Sequence, residues 1–438
     1  MKQKNITAYF FFIAISMFAL LLPAGMIFNL PLADAAIKKS IDNNYIESEV
    51  VAKIAPDADA GTIAVKYNLD ISLLKSSPDG NLYILTSRDA INRVSTKKII
   101  KLLQKDPQII SVQPNFRYKA LARVPNDPLF SSEWPLAEAT STPGGVSAPS
   151  AWDLEIKNKN QIPIAVIDTG ISYNQPDLKD AITGGTAKGK NIASPKKKPQ
   201  DSDGHGTFVA GIIAAKTNNR KGLAGASFFG NLKIMPLKFD FTTDQAISAI
   251  NYAASRHIPI INASWGAYGE EGLDLVLKDT IASYPGVFVT ASGNGDPKTY
   301  IGYNHDGTDP NKKMYPCDFD LANIICVGAS DKNGNLAEYS DYGAASVDVA
   351  APGGTDADPI VGMDLKKNKY TQEEGSSLSA AYVTAEAGLI LSKKSNLSAT
   401  QIIEIIKNSV DLEPSLAGRT VTGGKVNFQK ALQMAGSY

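Results

Sequence analysis

EEGSSLSAAYVTAEAGLIL, Glu373 to Leu391, sets three serines around a glycine and then runs on through small and apolar residues. Gly-Ser-Ser is common material at a helix N-terminus, where hydroxyls take up orphan backbone N–H groups. The same arrangement suits covalent chemistry, because a serine at a helix start can turn its hydroxyl and its own backbone N–H toward one cleft. A covalent serine also needs a base to take its proton, and histidine is the side chain that titrates near neutral pH unaided. The 438-residue chain holds three histidines, His205, His257 and His305, so the base must come from one of these positions.

Composition narrows the field. Lys plus Arg and Asp plus Glu both number 44, which gives no net pull toward nucleic acid or anionic lipid. Two cysteines exclude a disulfide-rich scaffold and a cysteine-based zinc site. The N-terminus begins with basic MKQKN, continues with an apolar run from Ala8 to Phe28, and reaches small residues at Ala33 and Ala35. That is the pattern of a cleavable export signal over residues 1–35, with cutting expected after Ala35. The protein is therefore expected to be secreted, extracellular or periplasmic, and to use the membrane only for export. The alternative is an uncleaved signal that anchors it, since about twenty apolar residues can span a bilayer.

Two folding units are expected after the signal. Strands SEVVAKIAP, DISLLKS, NLYILTS and QIISVQP alternate with helices AGTIAVKYNL and STKKIIKLLQKD, the second opening at a Ser95 cap. The order β-α-β-β-α-β is a small ferredoxin-like α+β domain, assigned to residues 36–121. A polar, proline-bearing connector places the boundary between about Tyr118 and Pro125. Beyond it, Ile/Val/Ala-rich strands such as QIPIAVID, LKIMPLK, IPIINAS, GVFVTAS and NIICVGA alternate with helices. Over residues 122–438 this predicts an α/β domain whose mostly parallel sheet is covered on both faces. In such sheets chemistry gathers outside the carboxyl ends of the strands.

Four segments fall at strand ends or helix starts: IDTG at Asp168, DGHGTFVAG at His205, ASGNG at Asn294 and GSSLSAA at Ser377. Each alone is ordinary turn or cap material. In this order together they resemble the subtilisin-like serine peptidases, whose chain order of Asp, His and Ser is a known convergent form of the catalytic triad. The similarity extends from about Pro125 to the end of the chain, including NASWG and VDVAAPGG. It implies a three-layer α/β/α catalytic domain and a serine endopeptidase acting through an acyl-enzyme. Asp168 would orient the base His205, Ser377 would attack, and Asn294 would donate to the oxyanion.

The resemblance further implies an extended polypeptide substrate beside Ser264, Trp265 and Gly266, with a first pocket walled by that segment and by Ala291 to Asn294, Gly293 included. No acid stands in these walls, so apolar or large side chains are the expected preference. Calcium is the implied structural metal, through Asp127, Asp177 and Asn219 side chains and the carbonyls of Lys216, Lys221 and Leu223; no organic cofactor is implied. The ferredoxin-like unit would act as a propeptide, an intramolecular inhibitor released by self-cleavage between about Tyr118 and Pro125, leaving a monomer. Cys317 and Cys326 are expected to pair in an oxidising compartment, against the alternative of two buried thiols. Departures from the family pattern are Ala381 in place of a proline, Phe208 in place of a second histidine, and a short segment after LKIMPLKFDF. The missing proline supports the alternative function, a protease-fold module that binds peptide or calcium without cutting.

Overall fold

The computed structural model describes residues 45–89, 94–116, 123–155, 160–185, 188–269 and 274–438. The export signal, its cleavage after Ala35, and residues 118–122 of the self-cleavage segment lie outside these. Two compact units separate at residues 121 and 122.

The first unit contains β1 (Tyr45–Ile54), α1 (Ala60–Lys66), β2 (Leu69–Lys75), β3 (Asn81–Ser87), α2 (Thr96–Leu103) and β4 (Ile109–Phe116). Its antiparallel sheet has the order β2-β3-β1-β4, the split β-α-β arrangement expected from the sequence. Val50, Ala52 and Ile54 from alternate positions of β1 meet Ile63, Leu85, Ile99 and Leu103 in one small core. Ser95 sits at the N-cap of α2, but its hydroxyl makes no capping bond. The Glu47 carboxylate accepts the Thr96 N–H instead, at 2.9 Å.

The second unit contains α3 (Ala148–Leu154), β5 (Ile162–Asp168), β6 (Lys190–Asn191), α4 (His205–Ala214), β7 (Leu232–Lys238), α5 (Thr243–Ser255) and β8 (Ile260–Ala263). It continues with β9 (Ala267–Tyr268), α6 (Leu275–Ala282), β10 (Val287–Ala291), β11 (Met314–Tyr315), β12 (Ile324–Ser330) and β13 (Val349–Pro352). The last elements are β14 (Ile360–Met363), β15 (Tyr370–Glu373), α7 (Ser376–Lys393), α8 (Ala399–Asn408), β16 (Asp411–Leu412), β17 (Gly424–Lys425) and α9 (Phe428–Ser437). The main sheet runs β16-β17-β13-β12-β10-β8-β5-β7-β6, parallel except for the β16–β17 edge pair. Alternate residues of one strand serve opposite faces. Ile164 and Val166 of β5 pack with α4, α7, α8 and α9, whereas Ala165 and Ile167 pack with α5 and α6. This produces the three-layer α/β/α sandwich.

From β5 the chain first adds β6 at the edge and then β7 between them, and next crosses to β5's other side with β8 and β10. The reversal puts the carboxyl ends of β5, β8 and β10 side by side, a topological switch point where open sheets bind their ligands. Helix α7 runs through the core and is buried along nearly its whole length. Ala381 lies fully buried inside it, so the helix continues without the family proline.

Glu386 is the anomaly of α7. It has no exposed surface, and neither carboxyl oxygen makes a hydrogen bond. Burial, then the charge of Asp411, drives its pKa well above the ordinary carboxylate value; a nearby Asn427 backbone N–H and the Lys425 ammonium ease this without removing it. A group protonated in the folded state but ionised when unfolded contributes stability at low pH that is lost as pH rises. Calorimetry from pH 5 to pH 8 should therefore show Glu386→Gln raising Tm more at pH 8 than at pH 5. Equal Tm changes at both pH values would contradict this.

Candidate active site

Asp168 closes β5 and is completely buried, so its charge requires partners. It receives the Thr169 N–H at 2.7 Å. Its two oxygens lie 2.9 and 3.0 Å from His205 Nδ1. His205 begins α4, and the turn leading into it is built by a residue the sequence reading did not single out. Asp201 accepts the backbone N–H groups of Asp203, Gly204 and Thr207 and the Thr207 hydroxyl. The Asp-x-Asp-Gly spacing is the available sequence signal, since Asp side chains bond backbone a few residues on in turns. Gly206 permits the approach: a Cβ there would lie 2.3 Å from the Gly170 carbonyl oxygen and 3.1 Å from Asp168 Oδ1.

Burial by itself lowers the His205 pKa, but the charge and hydrogen bond of Asp168, then the charges of Glu373 and Asp203, outweigh it and raise the value to about 9. The other histidines stand elsewhere. His257 is exposed with a left-handed backbone at the end of α5, and His305 is buried between Asp318 and Asp341.

Helix α7 packs beside α4, and its first turn bonds to residues just past the carboxyl ends of β8 and β10. Its N-cap is Gly375, and no serine hydroxyl caps it. Ser376 is instead committed to Asn294: its N–H and its hydroxyl both donate to Asn294 Oδ1, at 2.9 and 2.8 Å. With its oxygen so engaged, the Asn294 amide presents Nδ2 on its other side. A point at the Cβ position of Gly375 lies 3.2 Å from Ser377 Oγ and 3.4 Å from Asn294 Nδ2, so these two atoms flank one small space. Ser264, just past β8, donates its hydroxyl to the Ser377 carbonyl at 2.7 Å. Trp265 donates Nε1 to the Ile167 carbonyl at 2.8 Å, tying the β8 end to the β5 end. Gly266 and Gly293 follow the β8 and β10 ends, and the Met314 side chain lies against both; Ala291 is the last residue of β10.

The Subtilase family model matches residues 159–433. This chain belongs to the subtilase family. It is 32% identical over 313 residues to "Thermitase" of Thermoactinomyces vulgaris, an alignment spanning 70% of this chain and 99% of that protein. It is 30% identical to "Thermophilic serine proteinase" of Bacillus sp. (strain AK1), over 77% of this chain and 76% of that one. A solved structure, the epidermin leader peptide processing serine protease from Staphylococcus aureus, shares the fold with a TM-score of 0.58 at 21% identity, covering 89% of this chain and 98% of that chain. As a subtilase the protein is a serine-type endopeptidase, a hydrolase.

Away from the cleft of this subtilase, the six residues expected around a metal share one loop system. Asp127 accepts the N–H groups of Asn218 and Asn219, and Asn219 Nδ2 donates to Asp177 at 2.8 Å. Lys216 N–H donates to the Asp177 carbonyl, Lys221 N–H to Asn219 Oδ1, and Leu223 N–H to an Asp177 carboxyl oxygen at 3.4 Å. Glu133, absent from the sequence reading, is buried beside them and accepts the Ala224 N–H. Its pKa is driven well up by burial and further by the charges of Asp127 and Asp177. Burial and Asp177 likewise raise Asp127. Hard oxygens crowded with unrelieved negative charge fit a divalent, oxygen-seeking cation such as calcium. Cys317 and Cys326 are joined as a disulfide with Cα atoms 5.0 Å apart.

In the Ser377→Ala protein, an NMR titration of His205 should place its midpoint clearly above the ordinary histidine value of about 6.5. Glu373→Gln should lower that midpoint by a few tenths of a unit, roughly the scale of one screened surface charge. No shift on losing Glu373, or a midpoint below the ordinary value, would contradict the electrostatic account.

Proposed function

We propose that this endopeptidase cuts peptide bonds through Ser377, with His205 as general base, Asp168 as the group that orients it, and Asn294 as oxyanion donor. The observation that carries the reading is the Asp168–His205 pair, 2.9 Å apart at the carboxyl end of β5, with Ser377 in the first turn of α7, the helix that packs against α4. His205 Nδ1 donates to Asp168, which leaves Nε2 as the atom to take the Ser377 proton and later pass it to the leaving amine. Ser377 Oγ attacks the substrate carbonyl, and the oxyanion gains hydrogen bonds from Asn294 Nδ2 and the Ser377 N–H. A donor of this kind typically contributes about 10²- to 10³-fold in kcat. Ser376 serves as the residue that aims Asn294. Because the neutral imidazole is the working form, kcat/KM rises with pH through the His205 pKa.

The polypeptide lies extended beside Ser264–Gly266, and water then hydrolyses the acyl-enzyme. The protein is made for export with a signal over residues 1–35, a propeptide over 36–121 and a catalytic domain over 122–438. Among the described residues, no helix is long and apolar enough to cross a membrane. The ferredoxin-like first unit supports a propeptide that inhibits its own enzyme until self-cleavage near residues 118–125, after which the enzyme works as a monomer. Asp127, Asp177 and Asn219, with carbonyls of Lys216, Lys221 and Leu223, hold calcium. The ion supplies charge neutralisation and a cross-link between the start of the second unit and the loop after α4.

Fluorophosphonate labelling with intact-mass analysis tests the nucleophile. Wild-type protein and Ser376→Ala should label, Ser377→Ala should not, and its precursor should keep full length. Folded, calcium-loaded wild type that neither labels nor shortens would reject the peptidase mechanism and favour the non-cutting binding module. For the metal, chelation should lower Tm. At a calcium concentration 100-fold above Kd the lost stabilisation is about 2.7 kcal/mol. Asp177→Asn should abolish the calcium-dependent difference, and a Tm that ignores chelator would remove calcium from the reading.

A further inference from the structure

The gap between the β8 and β10 ends is filled from below. β11 pairs antiparallel with β9, Met314 opposite Tyr268, and this places Met314 under the two glycines that border the gap. A Cβ built on Gly266 would lie 2.7 Å from Met314 Sδ, and one built on Gly293 would lie 2.8 Å from Met314 Cε. The thioether therefore reaches from one wall to the other. The Tyr268 hydroxyl closes the inner end, 2.7 Å from the same Cβ position on Gly293. Met314 is only 8% exposed.

Methionine is a flexible side chain, so a plug made of it needs a fixed root. The Met314 N–H donates to Asp318 Oδ2 at 2.6 Å. The same carboxyl oxygen pairs with His305 Nδ1 at 3.0 Å, and His305 Nε2 pairs with Asp341 Oδ2 at 3.2 Å. Asp341 in turn accepts the Tyr268 hydroxyl at 2.7 Å and the Tyr303 N–H at 2.6 Å, while its own N–H donates to the Gly293 carbonyl. All three members of this ion relay are buried. It holds the floor of the gap at one end and the Gly293 wall at the other, with the Cys317–Cys326 disulfide beside His305.

We propose that Met314, rooted by the Asp318–His305–Asp341 relay, closes the pocket for the residue preceding the scissile bond, so that the enzyme cuts after glycine, alanine or serine. The proposal rests on the peptidase reading above and reverses the sequence-based preference for large apolar side chains. The wall glycines leave room for such side chains, but Met314 and Tyr268 occupy it. Asp341 does not make the pocket a reader of lysine or arginine, because it is buried and committed to His305, Tyr268 and Tyr303.

The test uses the mature enzyme and peptide amides that differ only in the residue before the cut: Gly, Ala, Ser, Leu, Phe or Lys. Active enzyme is counted by fluorophosphonate titration. Misfit of side-chain volume in a pocket discriminates by about 10- to 200-fold, so kcat/KM for Ala should exceed that for Phe or Leu at least tenfold. Met314→Gly should shrink the Ala-to-Phe ratio by about tenfold or more. His305→Gln should shrink it in the same direction, and adding it to Met314→Gly should bring no further change, an epistasis that general loosening of the fold would not produce. Wild type that cuts after Phe, Leu or Lys as well as after Ala overturns the proposal. So does a fully titrating Met314→Gly enzyme with an unchanged ratio. Protein that does not titrate at all rejects the peptidase mechanism itself, which is a separate result.

Discussion

Asp168 is a carboxylate with no exposed surface, and most of the site's architecture follows from the need to satisfy it. An unpaired buried charge costs several kcal/mol, so the end of β5 must be met by donors. The Thr169 N–H and His205 Nδ1 meet it, and bringing His205 within 2.9 Å requires α4 to start against the β5 end. That start in turn requires glycine at 206 and a tight Asp201 turn ahead of it. A charged pair at the tip of a buried strand thus sets the position of a helix.

The same edge gathers the remaining polar groups through the order of the strands. Because the sheet doubles back at β5, the residues following β8 and β10 lie beside the one ending β5. Ser264 then reaches the Ser377 carbonyl, and Asn294 is held by Ser376. These bonds are local in space but span more than eighty residues of chain. They leave Ser377 Oγ and Asn294 Nδ2 facing a shared space, with the Ser377 carbonyl and Asn294 Oδ1 already engaged.

Two buried ionic clusters serve the structure differently. The Asp318–His305–Asp341 relay is internally paired: burial lowers the His305 pKa, but the hydrogen bonds and charges of both aspartates outweigh it and raise it to about 9. Among the described residues no ion pair joins a cationic side chain to Asp127, Asp177 or Glu133, and burial with mutual repulsion raises Asp127 and Glu133. Paired charge rigidifies, whereas uncompensated oxygens of this kind are suited to a hard cation.

By itself the sequence determined the fold class, because unbroken apolar strands alternating with helices can only be buried between two helical layers. It also singled out Asp168, His205, Asn294 and Ser377 as candidates, and these lie at or just past a strand end or in the first turn of a helix. The β-α-β-β-α-β order of the first unit was legible for the same reason of periodicity, while the Ser95 cap gave way to Glu47, a residue 49 positions from the Thr96 it serves. Tertiary structure alone decided what each hydroxyl does: the Gly-Ser-Ser segment looks like helix capping, but Ser376 is spent on Asn294, which is distant in the chain. It also decided what fills the gap between the β8 and β10 ends, because Met314 enters from a strand some twenty residues beyond Gly293 and no local pattern records which gap a side chain fills. Periodicity and turn chemistry are properties of neighbouring residues, but packing and charge pairing depend on which strands become neighbours.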